Sequence, residues 1–544
     1  MSSKDRWLTR GAFLTVSVLR GIVLLAGATF VAFFVDVVVA RLRFPVDIEF
    51  MIGAILDHVE RVQQHLPLYV APSADWVPFL YPPGYYWLSA LVGRFTPLML
   101  ACRVVSLVGT AVAAGNVGIL ARRIGASRFW SVTAVGLFFG AYSFTGYWYD
   151  IERCDSLFVA LLSASALLLS WETTPLAAAA GVTLGLAFFV KQPASLFLIC
   201  VTVGLFLGAS KKRALAFLIP GAAIMAGGVA ALDAATHGWY SFYCFKVPAG
   251  HGIEPEYWRE LLLEPFEKVV PLMLVTLTAF GFLARALLRR VKGAAKNQDG
   301  RTIVFGSWML AAFVSSVMSR LHPGGALNVF MFWSTSACVA TAVVATHLEA
   351  RTSARSALWG ATGAALGMLL VLYQFARFNY DPKLVSPTQA QVDGAALIAG
   401  RIHDLERRGE VFVEGRGHLS TKRHLHTAAI VDLVRGGFDA PASLVSNIDH
   451  RIYAAIVLDK IDALKMRSSR ETNVRDLQPN LLRNYFIAER LPDVAYPTIG
   501  FYSQPTWVFL PRSAPLEGIS NDELVRRANT EASVAEEQMN RPAK

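Results

Sequence analysis

The sequence predicts a polytopic α-helical membrane protein of about 11 transmembrane helices, followed by an outer C-terminal α/β domain. Three observations carry this. The 544 residues are 54% hydrophobic and only 17% charged, whereas soluble domains hold about 25% charged residues. The apolar residues gather into runs of roughly 17–22, each long enough to cross a hydrocarbon core about 30 Å thick. Lys and Arg fall in alternate connections between the runs, the bias known as the positive-inside rule. The net charge of +11 follows from the same bias, and no basic run interleaved with aromatics offers a nucleic-acid surface.

The chain begins with basic residues and runs into an apolar stretch too long for a signal peptide, with no small-residue cleavage site after it. Residues 21–40 therefore read as an uncleaved first span. Further spans are predicted at 98–120, 129–147, 155–171, 175–190, 194–210, 214–233, 269–288, 302–319, 328–347 and 357–375. With the N-terminus in the cytoplasm, the inner segments collect Lys4, Arg6, Arg10, Arg20, Arg122, Arg123, Arg128, Lys211, Lys212 and Arg213, then the cations between 285 and 301, then Arg351 and Arg355. An odd number of spans puts the C-terminal region outside the cell membrane. The organisation is a membrane module at 1–376, an extracytoplasmic α/β domain at 377–512 and a charged tail at 513–544, expected to fray. The five cysteines show no metal-binding spacing. Cys154 and Cys244 both fall in outer loops, which leaves a disulfide between them open.

The first outer loop, 41–97, is too long for a simple connection. Ile52, Ile55, Leu56 and Val59 recur at helical spacing, with Asp57, Glu60 and Arg61 elsewhere on the surface, so an amphipathic helix is expected to lie in the membrane interface. The stretch from Trp76 to Trp87 is rich in Pro, Tyr and Trp, and such rings favour the headgroup level. A second interfacial helix is expected over 85–94. After 377 the apolar runs shorten. β-rich runs at 411–413, 452–458 and 506–510 alternate with helical patterns near 388–408, 421–435 and 520–540. His418, His424 and His426 match no metal spacing and read as surface histidines.

Ionisable groups beside membrane spans are costly and need a cavity, a partner or a function. Four such groups share the predicted outer side. Asp47 and Glu49 follow the first span. Asp150, Glu152, Arg153 and Asp155 crowd the turn between spans three and four. Lys191 and Gln192 sit between two apolar runs with almost no loop. Arg320, His322 and Asn328 flank a Gly-rich turn between spans nine and ten. Taken singly, each has a plain reading: solvated carboxylates, a self-neutralising turn, a snorkelling lysine and a tight turn. Together they put carboxylates and cations at one end of a helix bundle, beside a loop suited to a lipid surface. That set suits a reaction between a lipid phosphate and a polar substrate. A carboxylate takes the proton of an attacking hydroxyl, and cations hold the departing phosphate.

The order and spacing of these motifs, over residues 10–375, resemble the GT-C class of integral-membrane glycosyltransferases. The resemblance is to the polyprenyl-phosphate-sugar enzymes related to protein O-mannosyltransferases and aminoarabinose transferases. Asp47-Ile48-Glu49 stands where that class carries its acidic motif. Pro67-Leu68-Tyr69 and Tyr81-Pro82-Pro83-Gly84-Tyr85-Tyr86 resemble its loop pattern, with His65 in place of the usual glycine. Arg153-x-Asp155, Lys191-Gln192 and Gly324-Gly325-x-x-Asn328 resemble three further recurring turns. The resemblance implies transfer of a sugar from a polyprenyl-phosphate donor to a glycan, lipid or protein acceptor of the cell envelope, at a bacterial inner membrane and with inversion. It implies Asp47 as general base, with Glu49, Asp150 and Glu152 near acceptor or metal. Arg153, Lys191, Arg320 and His322 would attend the lipid phosphate, and Tyr81, Asp155, Gln192 and Asn328 would line the substrate site. A divalent metal is left open, with Asp47 and Asp150 as candidate ligands. A flippase for a lipid-linked saccharide would also need buried charge, but no internal repeat is visible and the charges lie at span ends. A scaffold that binds a partner through its outer domain leaves the four groups unexplained.

Overall fold

Each expected span coincides with a helix in the computed structural model, which describes residues 3–253, 258–294, 296, 298–322, 324–354, 356–413, 419–420, 425–459, 478–494, 498–501 and 504–540. In chain order the helices are α1 (Ser3–Arg41), the loop helices α2 (Ile52–Gln63) and α3 (Gly84–Val92), then α4 (Leu98–Arg123), α5 (Arg128–Phe144), α6 (Asp155–Leu169), α7 (Thr174–Phe188), α8 (Ala194–Gly208) and α9 (Lys211–Thr236). After short helical turns at 239–250 and 259–267 come α10 (Val270–Val291), α11 (Asp299–Leu321), α12 (Met331–Ser353) and α13 (Ala357–Phe378). Four of them start on a hydroxyl cap: Ser127, Thr173, Ser210 and Ser356 each accept the backbone N–H three residues on.

Seven of these helices, α1, α4 and α9 to α13, are long and apolar enough to cross a membrane. By contrast, α6, α7 and α8 have 15 residues each, about 22 Å at 1.5 Å per residue. Their charged ends at 150–155 and at Lys191 are consequently walled in by longer neighbours, and these side chains are buried. Close packing rests on small residues. A Cβ on Gly136 of α5 would come within 2.7 Å of the Gly27 Cα on α1, and one on Gly181 of α7 within 2.1 Å of the Phe217 carbonyl on α9. The apolar stretch of α12 is 83% buried and that of α9 only 17%. So α12 forms the bundle centre, while α9 lines its rim with Leu215 and Ile219 exposed.

The first loop departs from expectation in one respect. The second loop helix, α3, keeps Trp87 and Leu91 exposed, as an interfacial helix should, but Ile52 to Val59 of α2 are all buried, Asp57 included. Helix α2 packs against α3 and α4 and under the aromatic segment 76–79. His58 shows this. Its Nδ1–H donates to the Ala54 carbonyl at 2.6 Å, and its Nε2 accepts the Phe79 N–H at 2.8 Å. The ring stacks on Phe79 at 5.1 Å and lies 4.5 Å from Trp76. Both nitrogens are spent in the neutral form, and burial lowers the pKa to about 4.

The C-terminal domain is built on a four-stranded sheet in the order β1-β2-β4-β3, from β1 (Val411–Val413), β2 (Ala455–Asp459), β3 (Tyr485–Arg490) and β4 (Pro505–Pro511). Strands β1 and β2 are parallel, with Val411 opposite Ala455, and the other pairs are antiparallel. Helix α14 (Gln389–Glu406) covers one face with Ile398, Ile402 and Leu405 against Val411, Val413, Val457 and Val508. Helices α15 (Thr427–Arg435), α16 (Ala442–Asp449) and α17 (Gln478–Asn484) complete the connections. Residues 521–539, expected to fray, form α18 (Asn521–Met539). This helix buries Leu524, Ala528, Ala532 and Ala535 at the three- and four-residue spacing of one helix face. Its Glu531 accepts the Ile487 N–H at 3.0 Å and pairs with Arg512 at 2.6 Å. Cys154 and Cys244 are both buried and free, so the disulfide left open by the sequence is not formed.

Candidate active site

The charged turn between α5 and α6 sits at the end of the bundle that carries the C-terminal domain, and each of its members pairs with a different element. Asp150 meets Arg41 at 3.0 Å and the Tyr142 hydroxyl at 2.7 Å. Glu152 meets Arg103 at 2.7 Å. Asp155, at the start of α6, meets Lys191 at 2.5 Å and the Asn328 amide at 2.9 Å. An isolated buried charge is prohibitive, so each carboxylate has drawn a cation from another element. Lys191 shows the balance: burial pulls its pKa down, but its neighbours, Asp155 foremost, together hold it above the ordinary lysine value.

Arg41 and Arg103 are the site's unforeseen residues. Arg103 lies inside α4, where an unmatched cation should not be, and that was the available signal. Besides Glu152, its guanidinium donates to the carbonyls of Arg41 (2.6 Å), Phe44 (2.6 Å) and Val46 (3.1 Å). It thus gathers the chain that leaves α1 and delivers it, folded, to Asp47. Arg41 does similar work, donating from Nε and Nη2 to the Val385 carbonyl at 2.9 and 2.7 Å. The turn's first two carboxylates therefore anchor backbone.

Asp47 and Glu49 are each 1% exposed. Glu49 accepts the Met51 N–H at 3.2 Å and stands 3.7 Å from Nη1 of Arg153. Burial raises its pKa above the ordinary glutamate value, against the pull of Arg153. Arg153 donates to the Tyr81 hydroxyl at 3.3 Å and lies over Trp148 at 4.5 Å. Its Nη1 makes no hydrogen bond among the described residues. Lys191 approaches the same Tyr81 ring at 5.8 Å and Phe332 at 5.2 Å. Two buried cations thus converge on one tyrosine, with a carboxylate behind each. This corner can take an anion with little rearrangement, because the cations are already desolvated and held.

The remaining residues singled out in the sequence have other partners. Gln192 spends its amide on the carbonyls of Leu80 (2.6 Å) and Cys244 (3.2 Å), tying two loops together. Arg320 donates to the carbonyls of Leu261 (3.1 Å) and Gly325. Nε2 of His322 meets Nδ1 of His251 at 3.1 Å, and Nε2 of His251 meets the Asp432 carbonyl at 2.6 Å. His322 thus reaches α15 through His251, while Arg320 ties the Gly-rich turn to the segment at 261. Among the described residues no three His, Cys, Asp or Glu side chains gather as metal ligands. Asp150, one of the two candidate ligands, is held by Arg41 instead.

The C-terminal domain touches the acidic motif directly. The Ile499 N–H donates to the Ile48 carbonyl at 3.0 Å, and Phe501 meets Phe50 edge-on at 5.5 Å. His426, expected at the surface, is buried. Its Nε2 lies 3.2 Å from the Phe50 carbonyl, while its Nδ1 accepts the Ala428 N–H at 3.1 Å and so caps α15. His418 and His424 lie outside the described residues.

No family model and no curated protein matches the sequence. Solved structures do match the fold. One is the crystal structure of ArnT from Cupriavidus metallidurans bound to undecaprenyl phosphate, with TM-score 0.51, 14% identity, and 92% of this chain and 99% of that chain covered. Another is the apo state of the same protein, with TM-score 0.50, 14% identity, and coverage of 94% and 98%. The alignment takes in both the helix bundle and the C-terminal domain, over nearly the full length of each chain. The chain has the GT-C fold of membrane glycosyltransferases.

Proposed function

We propose that this protein is a membrane glycosyltransferase that moves a sugar from a polyprenyl-phosphate donor to an acceptor hydroxyl. The observation that carries this is the corner at Tyr81. There the buried cations Arg153 and Lys191 converge, and Nη1 of Arg153, 3.7 Å from Glu49, makes no hydrogen bond to any described residue. The undecaprenyl phosphate in the similar ArnT structure supports a lipid phosphate as the anion. The positive-inside bias supports a site on the extracytoplasmic face of a bacterial inner membrane, with the N-terminus in the cytoplasm. The acceptor is then a glycan, lipid or protein of the cell envelope.

In this reading Asp47 accepts the proton of the acceptor hydroxyl as the oxygen attacks the anomeric carbon. The bond from that carbon to the phosphate oxygen breaks, and its electron pair leaves on the polyprenyl phosphate. Arg153 and Lys191 stabilise the charge growing there, both beside the Tyr81 ring. A single displacement inverts the anomeric centre. Glu49 orients Arg153, and Asp155, itself held by Asn328, orients Lys191. The test is binding of undecaprenyl phosphate to purified protein. An Arg153→Met variant should bind at least tenfold more weakly, the scale of one lost charge-assisted contact. Equal affinity in variant and wild type would rule out this corner as the phosphate site.

A further inference from the structure

The loop 498–501 lies against the acidic motif with no room to spare. Its Ile499 is bonded to the Ile48 carbonyl at 3.0 Å, and its Phe501 packs on Phe50. Between them Gly500 adopts φ +78°, and a Cβ placed there would lie 2.9 Å from Cγ of Glu49. Glu49 has nowhere to retreat. It is buried, its carboxylate is bonded to the Met51 N–H, and Arg153 stands 3.7 Å away.

We propose that loop 498–501 is a positioning element of the active site, and that Gly500 is glycine so that the loop can press Glu49 into register with Arg153. The catalytic consequence rests on the function proposed above; the contact itself does not. Through this loop the C-terminal domain becomes part of the reaction centre, because Glu49 sets where the Arg153 guanidinium waits for the donor phosphate. The size of the effect follows from the geometry. Carbon atoms in contact settle at about 3.5–4.0 Å, so a methyl group on Gly500 has to displace the Glu49 stem or the loop by about 1 Å. A misplacement of that size costs about 10²-fold in rate.

A glycine at positive φ could also be required for backbone reasons alone. Gly518 provides the control, with φ +69° and nothing within 4 Å of its Cβ position. The experiment compares full-length wild type, Gly500→Ala and Gly518→Ala in lipid. It measures hydrogen exchange of the 44–51 segment, then kcat, donor KM and the pH–rate profile with polyprenyl-phosphate sugars. The expected result is lost protection of 44–51 in Gly500→Ala only, with kcat down about 10²-fold. The acid limb of its pH–rate profile should also move to higher pH, because a displaced Glu49 loses Arg153. A Gly500→Ala protein that matches Gly518→Ala in exchange, or in kcat and acid limb, overturns the proposal. If wild type transfers no sugar at all, the function proposed above fails, and the exchange result still decides whether the loop holds the motif.

Discussion

Replacing Arg103 by Met should be strongly destabilising, and the size of the loss follows from its partners. The substitution keeps the length of an apolar stem within α4 but removes the guanidinium. Glu152, fully buried, is left without its cation, and breaking one side of a buried pair costs about 3–5 kcal/mol. Three carbonyls, those of Arg41, Phe44 and Val46, lose their donor together, at about 1 kcal/mol each. The total of roughly 6–8 kcal/mol is comparable with the whole stability of a typical domain, about 5–15 kcal/mol. Adding Glu152→Gln removes the orphaned charge and should return about 2–4 kcal/mol, so the double variant should be more stable than Arg103→Met alone. The assay is unfolding in detergent or lipid for wild type, both single variants and the double, treated as a double-mutant cycle. If the two changes add to within about 0.5 kcal/mol, the Arg103–Glu152 pair is not a coupled buried unit and the account of this turn is wrong.

Two further outcomes are expected. His58 has its pKa lowered to about 4 in the fold against about 6.5 unfolded. Its contribution is therefore fully present above about pH 6.5 and is lost as pH falls toward 4, amounting to about 3 kcal/mol. The stability difference between wild type and His58→Gln should shrink over that window, and a difference that is flat from pH 7.5 to 4.5 would contradict the neutral, doubly bonded ring. In the C-terminal domain, Glu531→Ala removes the acceptor of the Ile487 N–H and the partner of Arg512, which should cost about 1–3 kcal/mol. Faster proteolysis near 520 in this variant would show that α18 is docked on the sheet, whereas cleavage at the wild-type rate would show that it is not.

Much of this protein is legible in its sequence because membrane helices announce themselves one at a time. Each apolar run needs only its own composition to be recognised, and the positive-inside bias orders the runs. The polar end of the bundle was legible for the same reason, since charges at Asp155 and Lys191 stand out against apolar neighbours. What was hidden is pairing across long separations. Nothing near Arg103 in the sequence says that it will collect carbonyls from residues 41–46 or meet Glu152, and nothing near Glu49 points to Gly500. Helix α2 carries an amphipathic pattern that suits a lipid surface equally well. Only its packing against α3, α4 and the aromatic segment 76–79 decides that its apolar face is turned into protein. Strand β3 is not legible in the sequence because Tyr485-Phe486-Ile487-Ala488 is a short apolar run ending in Glu489 and Arg490, and its strand character comes from pairing with β4. His426 has no metal spacing around it in the sequence, and its partner is a backbone carbonyl 376 positions away.

The most direct test of the central claim is transfer from radiolabelled polyprenyl-phosphate sugars by purified protein in lipid, comparing wild type with Asp47→Asn at equal folded concentration. Asn keeps the shape of the side chain but cannot take a proton at neutral pH, so the account expects transfer by wild type and a loss of at least about 10²-fold in the variant. Transfer at the wild-type rate by Asp47→Asn would contradict Asp47 as the base. Failure of folded wild type to transfer or hydrolyse any donor in the panel would contradict the enzymatic reading as a whole.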